Sequence, residues 1–506
     1  MMAKNYIEIL NNSESIKISE IPVLEYSTFF SVIDELFTDN SNHCLNYFAV
    51  PFNEIYKFIC CIGADTNKNI IVLSHEQPKK EGVTLESLTI KHFQFHIFER
   101  EIHENYGIIF SNHPWLKPVR YPFNRYHSEN NINNYPFYSI ESEELHEVGV
   151  GPIHAGIIEP GYFRFLCNGE NVLHLEIQLG FQHRGIEQLF IEKQNILQQS
   201  VLAESIAGDT AIGHALSYAI LCESLSKHII NPDLASERII GMELERIAIH
   251  IGDTAALCTD IAYQFGQVVN EALRTIIINT LQLWCGNRFG KGLIRPCGSN
   301  YPLKKEIIQN IKKNIEEVEH RYLQITNRIF TLPSVLSRFE GIGKVTTRQA
   351  TTIGAVGMAA RSSGLKRDIR WSHPFLSYKN LSFDPVVINK CDVWSRAMLR
   401  KIEVERSIAI IKDLINNLGE TEITHFPKYN INFDPSSFAI SLIEGWRGEI
   451  CHIALTDNNG KIIYYNVKDP SMHNWMALAI AVRDQEISDF PICNKSYNLS
   501  YCGNDL

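Results

Sequence analysis

A polar segment divides the sequence into two unequal parts. Residues 124–147 (NRYHSENNINNYPFYSIESEELHE) are rich in Asn and Ser, contain Pro136 and show neither helical nor strand periodicity, a pattern typical of a linker between domains. A chain of 506 residues is long enough for two domains. We therefore predict one domain at residues 1–123, a linker at residues 124–147 and a second domain at residues 148–506.

The apolar pattern predicts the fold class. Before the linker, short apolar runs at residues 44–50 and 68–74 mix with a helical pattern at residues 27–37, which indicates a small α/β domain. After the linker, residues 163–167 and the alternating residues 172–179 flank Asn168-Gly169. This pattern predicts a tight β-hairpin, because both central residues of the favoured turn need positive φ.

Most of the remaining sequence has helical periodicity. The predicted helices lie at residues 195–225, 236–264, 267–283, 304–329 and 390–418, and late strands are predicted at residues 449–456 and 461–466. We predict an α+β fold, with a small N-terminal α/β domain and a mainly helical domain that has an N-terminal β-hairpin and C-terminal strands.

Composition excludes several functions. The net charge of −10 and the absence of a basic run argue against a nucleic-acid partner. No run of 18 apolar residues exists, and MMAKNYIEILNN has no signal-peptide pattern, so we expect neither a membrane span nor secretion. The twelve cysteines include no C-x-x-C pair, which removes the common zinc and iron–sulfur patterns. Complete nucleotide-binding loops are also missing.

Three polar clusters are candidates for chemistry. In residues 183–187 (HRGIE), Arg184 and Glu187 have the spacing of a helix-start ion pair, although Glu187 also suits helix capping or proton transfer. In residues 444–449 (EGWRGE), glycines flank Arg447 and allow close backbone approach, whereas a surface arginine in a turn is the simpler interpretation. The third cluster shares one helical face, which indicates a solvated surface or a buried charge network; it comprises Glu243, Arg246, His250, Asp253 and Asp260.

Taken in order, these segments resemble a known family. Residues 98–122 (FEREIHENYGIIFSNHPWLKPVRYP) are similar to the signature of the 30-kDa-type hydrophilic subunit of complex I. Residues 151–189 resemble the start of the large subunit of energy-converting nickel–iron hydrogenases and of its 49-kDa-type complex I counterpart. Further similarity lies at residues 243–262, 288–298, 444–452, 468–475 and 489–506. Formate-hydrogenlyase-type large subunits carry both modules fused in this order.

The resemblance implies a peripheral subunit on the cytoplasmic, inner face of the cell membrane. Such a subunit docks on a small iron–sulfur subunit, a ferredoxin-like subunit and membrane subunits of a complex I-like assembly that couples electron transport to ion translocation. Electrons would pass through an iron–sulfur cluster in a partner. We therefore expect this chain to bind no cofactor of its own, with a quinone as a candidate acceptor. The family is linked by name to NADH dehydrogenases and NAD binding, but this sequence has no dinucleotide loop.

The sequence departs from the family at the nickel–iron site. Hydrogenases of this family hold the metals through R-x-C-G-x-C and D-P-C-x-x-C, since thiolates are soft donors suited to nickel and iron. Here Ala207 and Thr210 replace the first pair of thiolates, and Ser500 and Gly503 replace the second. We therefore predict no metal site and no hydrogenase activity. We also expect no C-terminal extension of the kind removed on nickel insertion, because the sequence ends at Leu506.

Four residues match functional positions of the family. Glu187 matches its proton-transferring Glu, His214 a His beside the metal site and Arg447 an Arg that points toward iron, so we name them as candidate catalytic residues. His154 matches a His in the quinone-contacting loop of complex I and is the candidate cofactor-binding residue. A purely structural role is the alternative for each, and an inert scaffold between the iron–sulfur and membrane arms is the alternative for the chain. The sequence around Ser205 lacks the Tyr that complex I uses, which argues against its mechanism of quinone reduction.

Overall fold

Strands form at both ends of the chain and long helices lie between them. The computed structural model describes residues 5–154, 158–418 and 424–506. The strands of these residues, numbered in chain order, are β1 Ile7–Ile9, β2 Ser15–Lys17, β3 Val23–Leu24, β4 Asn42–Phe52, β5 Ile55–Ala64, β6 Asn69–Pro78, β7 Thr84–Glu86, β8 Ile109–Ser111, β9 His146–Val150, β10 Tyr162–Asn168, β11 Asn171–Gln178, β12 Ile294–Arg295, β13 Gly298–Ser299, β14 Ser437–Glu444, β15 Glu449–Thr456 and β16 Ile462–Lys468.

The helices follow the predicted periodicity closely. They are α1 Tyr26–Leu36, α2 His96–Tyr106, α3 Ile186–Glu192, α4 Ile196–Ala203, α5 Ala211–Leu225, α6 Pro232–Asp260, α7 Gln264–Cys285, α8 Lys305–Ile329, α9 Pro333–Phe339, α10 Thr347–Thr352, α11 Gly357–Arg361, α12 Ile369–Ser372, α13 Val393–Leu418, α14 Ser471–Ala481, α15 Phe490–Tyr497 and α16 Tyr501–Asp505. The described residues contain no helix that is both long and apolar enough to span a membrane. The architecture confirms the predicted α+β fold.

The N-terminal sheet is buried on both faces. Its order is β1-β6-β5-β4, with β3 also paired to β6. Successive side chains of a strand point to opposite faces, so the adjacent Cys60 and Cys61 lie in different cores. Cys60 packs with the core that includes α1 and α2, and Cys61 packs with the large core of the helical part. This sheet therefore joins the two halves of the chain.

The C-terminal sheet takes one strand from the other end of the chain. Its order is β16-β15-β14-β2, and Phe438 of β14 pairs with Ile16 of β2. Strands β15 and β16 were predicted from the sequence, whereas β14 was not. All eight residues of β14 are buried, and a strand buried on both faces lacks the polar–apolar alternation that would mark it.

The predicted hairpin is present, but its turn differs by one residue. Asn168 pairs with Asn171 at the end of β10 and β11, so the central residues of the turn are Gly169 and Glu170. Only Gly169 has positive φ, at +57°. On the other side of β10, β9 adds a third strand that begins at His146, inside the segment interpreted from its composition as a linker.

The helical part contains one break that the sequence did not predict. Helices α6, α7, α8 and α13 pack together in a bundle, but the helix predicted at residues 195–225 is divided into α4 and α5. Arg184 stabilises the break by donating hydrogen bonds to the carbonyls of Ser205, at 2.6 Å, and Ile206, at 3.0 Å. The backbone of residues 204–210 is thus held between the two helices, where the first departure from the family occurs.

Candidate functional site

The first substituted motif lies in the break between α4 and α5. Ala207 is fully buried, and Thr210 immediately precedes α5 and is also buried. The Thr210 hydroxyl accepts a hydrogen bond from Nη1 of Arg447 at 3.1 Å. Where the family places two thiolates, this chain therefore has a methyl group and a hydroxyl that is bound to an arginine.

Arg447 lies in the turn between β14 and β15 and is fixed by several acceptors. Its Nη1 and Nη2 each donate to one carboxylate oxygen of Asp209 at 2.7 Å, and its Nε donates to the carbonyl of Asn498 at 2.6 Å. The flanking glycines allow the predicted close approach: a Cβ on Gly448 would lie 2.6 Å from Cα of Gly357. Arg447 is therefore buried and forms a bidentate ion pair with Asp209. The interpretation as a surface arginine in a turn is wrong.

The second substituted motif forms the start of the last helix. The Ser500 hydroxyl accepts a hydrogen bond from the backbone N–H of Gly503 at 2.9 Å and so caps α16. A Cβ on Gly503 would lie 2.8 Å from the carboxylate of Asp469. Cys502 is the one thiol of this motif, and burial raises its pKa to about 11, so it is protonated at neutral pH. The described residues contain no group of three or more His, Cys, Asp or Glu side chains arranged to hold a metal ion.

His214 is the centre of a buried series of hydrogen bonds. Its Nε2 lies 3.1 Å from Oδ2 of Asp469, and its Nδ1 lies 3.0 Å from Nε2 of His452. Nδ1 of His452 lies 2.7 Å from the hydroxyl of Tyr465. Burial lowers the pKa of His452 well below its ordinary value and raises the pKa of Tyr465 well above its own. His452 and Tyr465 are therefore neutral, and the series continues through His214 to a carboxylate, that of Asp469.

Glu187 neither pairs with Arg184 nor caps its own helix. Its Oε1 accepts a hydrogen bond from the backbone N–H of Val467 on β16 at 2.8 Å. Burial and, as a smaller cause, the nearby carboxylate of Glu101 raise the pKa of Glu187 to about 8, against the effect of Arg120. Glu187 is therefore largely protonated at neutral pH, and its hydrogen bond to Val467 suits a structural role as well as proton transfer.

Glu187 lies beside a cleft of about 860 Å³ between α2 and α3, which we call the α2–α3 cleft. The polar residues that line it include Glu101, Tyr106, Glu187, Tyr464 and Tyr465. Glu101, from α2, forms an ion pair with Arg120. Arg447, in contrast, lines a cavity of only about 10 Å³. The structure thus brings His214 and Arg447 to the same substituted site and places Glu187 at a separate opening.

His154 lies apart from these three residues. Its Nε2 donates a hydrogen bond to the carbonyl of Gly161 at 2.9 Å and so closes its own loop. Residues 155–157 of this loop lie outside the described residues. The loop reaches the second motif through Glu159, whose Oε2 accepts a hydrogen bond from the backbone N–H of Tyr501 at 3.3 Å.

The charged face of α6 is a buried network and not a solvated surface. Glu243, Arg246, His250 and Asp253 are each no more than 3% exposed, and only Asp260 reaches the surface. Both Nη atoms of Arg246 donate to backbone carbonyls of residues 444 and 445, at 2.6 and 2.9 Å. Asp253 accepts a hydrogen bond from the Asn498 side chain at 2.8 Å. The network therefore supports both segments that hold Arg447.

Sequence reasoning missed four residues of the site: Asp209, His452, Tyr465 and Asp469. His452 and Asp469 lie in segments that carried the family resemblance, at residues 444–452 and 468–475. Asp209 lies inside the first motif, between the two substituted positions. A search for polar residues inside the resembling segments would have found these three, but no sequence signal distinguishes Tyr465 from the apolar strand around it.

Comparison with known proteins agrees with this geometry. Residues 25–127 match the family model described as "Respiratory-chain NADH dehydrogenase, 30 Kd subunit", and residues 260–437 match that described as "Respiratory-chain NADH dehydrogenase, 49 Kd subunit". One polypeptide thus carries both modules, which defines the class of fused complex I-type hydrophilic subunits. The chain therefore carries the 30-kDa-type and 49-kDa-type complex I domains fused in one polypeptide, and it is similar to hydrogenases as well as to complex I subunits.

Similar curated proteins come from both branches of this family. The carbon monoxide-induced hydrogenase of Rhodospirillum rubrum is 29% identical over 68% of this chain and 95% of its own length. Formate hydrogenlyase subunit 5 of Escherichia coli is 25% identical over 80% of this chain and 74% of its own length. NADH-quinone oxidoreductase subunit 4 of Thermus thermophilus is 26% identical over 68% of this chain and 90% of its own length. By name, the last two are subunits of larger assemblies.

Proposed function

We propose that this chain is the large subunit of a complex I-related electron-transfer assembly, in which it binds no nickel–iron centre and relays protons. It would lie on the inner face of the cell membrane, between membrane subunits and the small iron–sulfur and ferredoxin-like subunits. Electrons would pass through an iron–sulfur cluster of a partner and drive ion translocation. The observation that carries the proposal is the combination of four substituted ligand positions with a buried His214–Asp469 pair.

The contacts of the substituted positions support the absence of nickel and iron. Thr210 accepts from Arg447, Ser500 caps α16, and Gly503 packs against Asp469. Soft thiolate ligands suit nickel and iron centres, and a methyl group, two hydroxyls and a hydrogen cannot replace them. The groups that occupy this space are used in protein–protein hydrogen bonds and in packing.

The candidate site for a quinone-like acceptor is the loop of His154. Ile153 and Ile158 of this loop are 84% and 50% exposed, so the loop presents apolar surface beside a histidine. A partner subunit that covers the loop would close an apolar cavity around an acceptor, as small-molecule sites require. The contact of Glu159 with Tyr501 places the loop next to the second substituted motif.

The metal content of the purified assembly tests the first part of the proposal. We expect nickel at background, below about 0.1 atom per chain, because no thiolate set is available to hold it. Elemental analysis of the intact assembly measures this directly. Stoichiometric nickel, or hydrogen uptake by the assembly, would contradict the proposal.

A scaffold without chemistry is the second candidate, and the tight packing of Arg447 against Asp209 favours it. Glu187→Gln separates the two candidates, since glutamine keeps the acceptor for Val467 but carries no transferable acidic proton. A proton-relaying subunit should assemble normally and lose about tenfold or more of its electron transfer. A scaffold should keep both. Glu271→Gln, at an exposed position of α7, is the matched control and should leave turnover unchanged.

A further inference from the structure

The hydrogen bonds around His214 form one continuous series between two places in the molecule. The series runs from Tyr465 to His452, His214 and Asp469, with successive distances of 2.7, 3.0 and 3.1 Å. Asp469 lies directly against Gly503, which replaces the last ligand position of the family. At the other end, Tyr465 lines the α2–α3 cleft. The series therefore connects a solvent-facing cleft with the substituted site.

With one proton on the imidazole of His214, the donors and acceptors of this series have one consistent arrangement. Asp469 also accepts from the backbone N–H of Ser471 at 2.8 Å, and a carboxylate only accepts. Nε2 of His214 must therefore donate to Asp469, which leaves Nδ1 of His214 to accept from Nε2 of His452. Nδ1 of His452 then accepts from the hydroxyl of Tyr465. All three hydrogen bonds point from the cleft toward Asp469.

Acidic groups stand at the cleft end of the series. Glu187 is bound to the backbone of β16 two residues after Tyr465, and Glu101 lines the same cleft from α2. Arg120 pairs with Glu101 and donates to the carbonyl of Asn504 in α16 at 2.7 Å. The N-terminal part of the chain thus supplies a second carboxyl group beside Glu187, and Arg120 links it to the last helix.

We propose that Tyr465, His452, His214 and Asp469 form a proton-transfer chain between the α2–α3 cleft and the substituted site, with Glu187 as the proton donor at its cleft end. The inference deepens the proposed function and rests on it. When Tyr465 receives a proton from the cleft, its hydroxyl proton passes to Nδ1 of His452. The Nε2 proton of His452 passes to Nδ1 of His214, and the Nε2 proton of His214 passes to Asp469. One proton is moved, and no electron is exchanged.

The phenylalanine variant of Tyr465 tests this chain in the membrane-bound assembly, with a reduced viologen dye as electron donor and a soluble quinone as acceptor. Tyr465→Phe removes only the hydroxyl and keeps the ring, which stacks on Phe190 with centroids 4.0 Å apart. We expect at least a tenfold loss of turnover with normal assembly, because positioned acid–base groups contribute at least about 100-fold in many enzymes. The remaining turnover should show a larger solvent deuterium isotope effect than the parent.

A neighbouring tyrosine provides the matched control. Tyr218 is fully buried in the same apolar cluster, and its hydroxyl donates to Gln199 at 2.7 Å, outside the series. Tyr218→Phe should keep parental turnover and the parental isotope effect. Equal turnover in the Tyr465 and Tyr218 variants would overturn the proton-transfer chain.

Three further outcomes are distinguishable. If Tyr465→Phe does not assemble, His452→Asn is measured in its place, since asparagine keeps hydrogen bonds but cannot relay a proton; parental turnover in that variant overturns the chain. If Glu187→Gln loses turnover while the Tyr465 and His452 variants keep it, the chain is wrong and the proposed function stands. If all of these variants keep parental turnover, or if the parent passes no electrons, the proposed function itself fails.

Discussion

Two buried polar regions of this molecule use opposite chemistry. Around α6 and α13, arginine and carboxyl side chains pair with each other, and each member is no more than 3% exposed; the network comprises Arg246, Arg361, Arg370, Arg400, Glu243, Asp253, Asp368, Glu403 and Glu444. Between the α2–α3 cleft and the substituted motifs, a tyrosine and two histidines are hydrogen-bonded in series, and burial keeps Tyr465 and His452 neutral.

The difference indicates separate roles. A buried charge must keep its partners, since an unpaired ion in the interior costs several kcal/mol. Arginines also keep their protons at all ordinary pH values. A series of neutral imidazole and hydroxyl groups has no such constraint, because every member can donate and accept. The ionic network therefore fixes the backbone that carries Arg447, whereas the series from Tyr465 to Asp469 is the part through which we propose that protons move.

The ionic network is expected to show the largest effect on stability. Glu403 accepts from Arg361 at 2.6 Å and from Arg370 at 2.8 Å. Glu403→Ala leaves both guanidinium groups buried without this partner, so we expect the free energy of unfolding to fall by about 3–5 kcal/mol. Urea denaturation of the purified chain measures the change.

Glu405, on the same helix, is the control for that prediction. It pairs with Lys401 one turn earlier, and its side chain is 34% exposed. Glu405→Ala should change the free energy of unfolding by no more than about 0.5 kcal/mol. A loss of similar size in the two variants would mean that the buried network stabilises the fold no more than an exposed ion pair does.

The sequence predicted most of the regular structure because long helices and amphipathic strands carry a periodic signal. It failed where burial removed that signal. Strand β14 is buried on both faces, and the polar stripe of α6 faces partners from α12, α13 and the end of β14 that are more than 100 residues away in the chain. A single helix pattern cannot reveal whether such partners exist.

The candidate site was also predictable only in part: its motif residues were predicted from the sequence, and the cleft was not. Family motifs pointed to Glu187, His214 and Arg447, and the structure places His214 and Arg447 at one buried site. The α2–α3 cleft, however, depends on how α2 packs beside α3, and Glu101 and Glu187 are 86 positions apart in the sequence. Contacts of that range follow from the tertiary fold and have no local sequence signal.

A smaller effect should distinguish the cleft from the ionic network by its dependence on pH. The pKa of Glu187 is raised by burial to about 8, whereas that of Glu403 is held well below its ordinary value by Arg361 and Arg370 in spite of its burial. A carboxyl group whose pKa is higher in the folded state binds more protons there. Its stabilising effect is complete below the unfolded pKa of about 4.3 and is lost as the pH rises toward 8.

Glu187→Gln should therefore remove part of the alkaline loss of stability. Between pH 5 and pH 9, we expect the free energy of unfolding of the parent to fall by at least about 1 kcal/mol more than that of the variant, since one unit of pKa shift corresponds to about 1.4 kcal/mol. Urea denaturation at both pH values measures the difference. The exposed Glu271→Gln control should follow the parent. If the free energy of unfolding of the Glu187 variant changes with pH as that of the parent does, Glu187 is ionised in the folded protein. The α2–α3 cleft would then contain charged carboxylates, as the ionic network does.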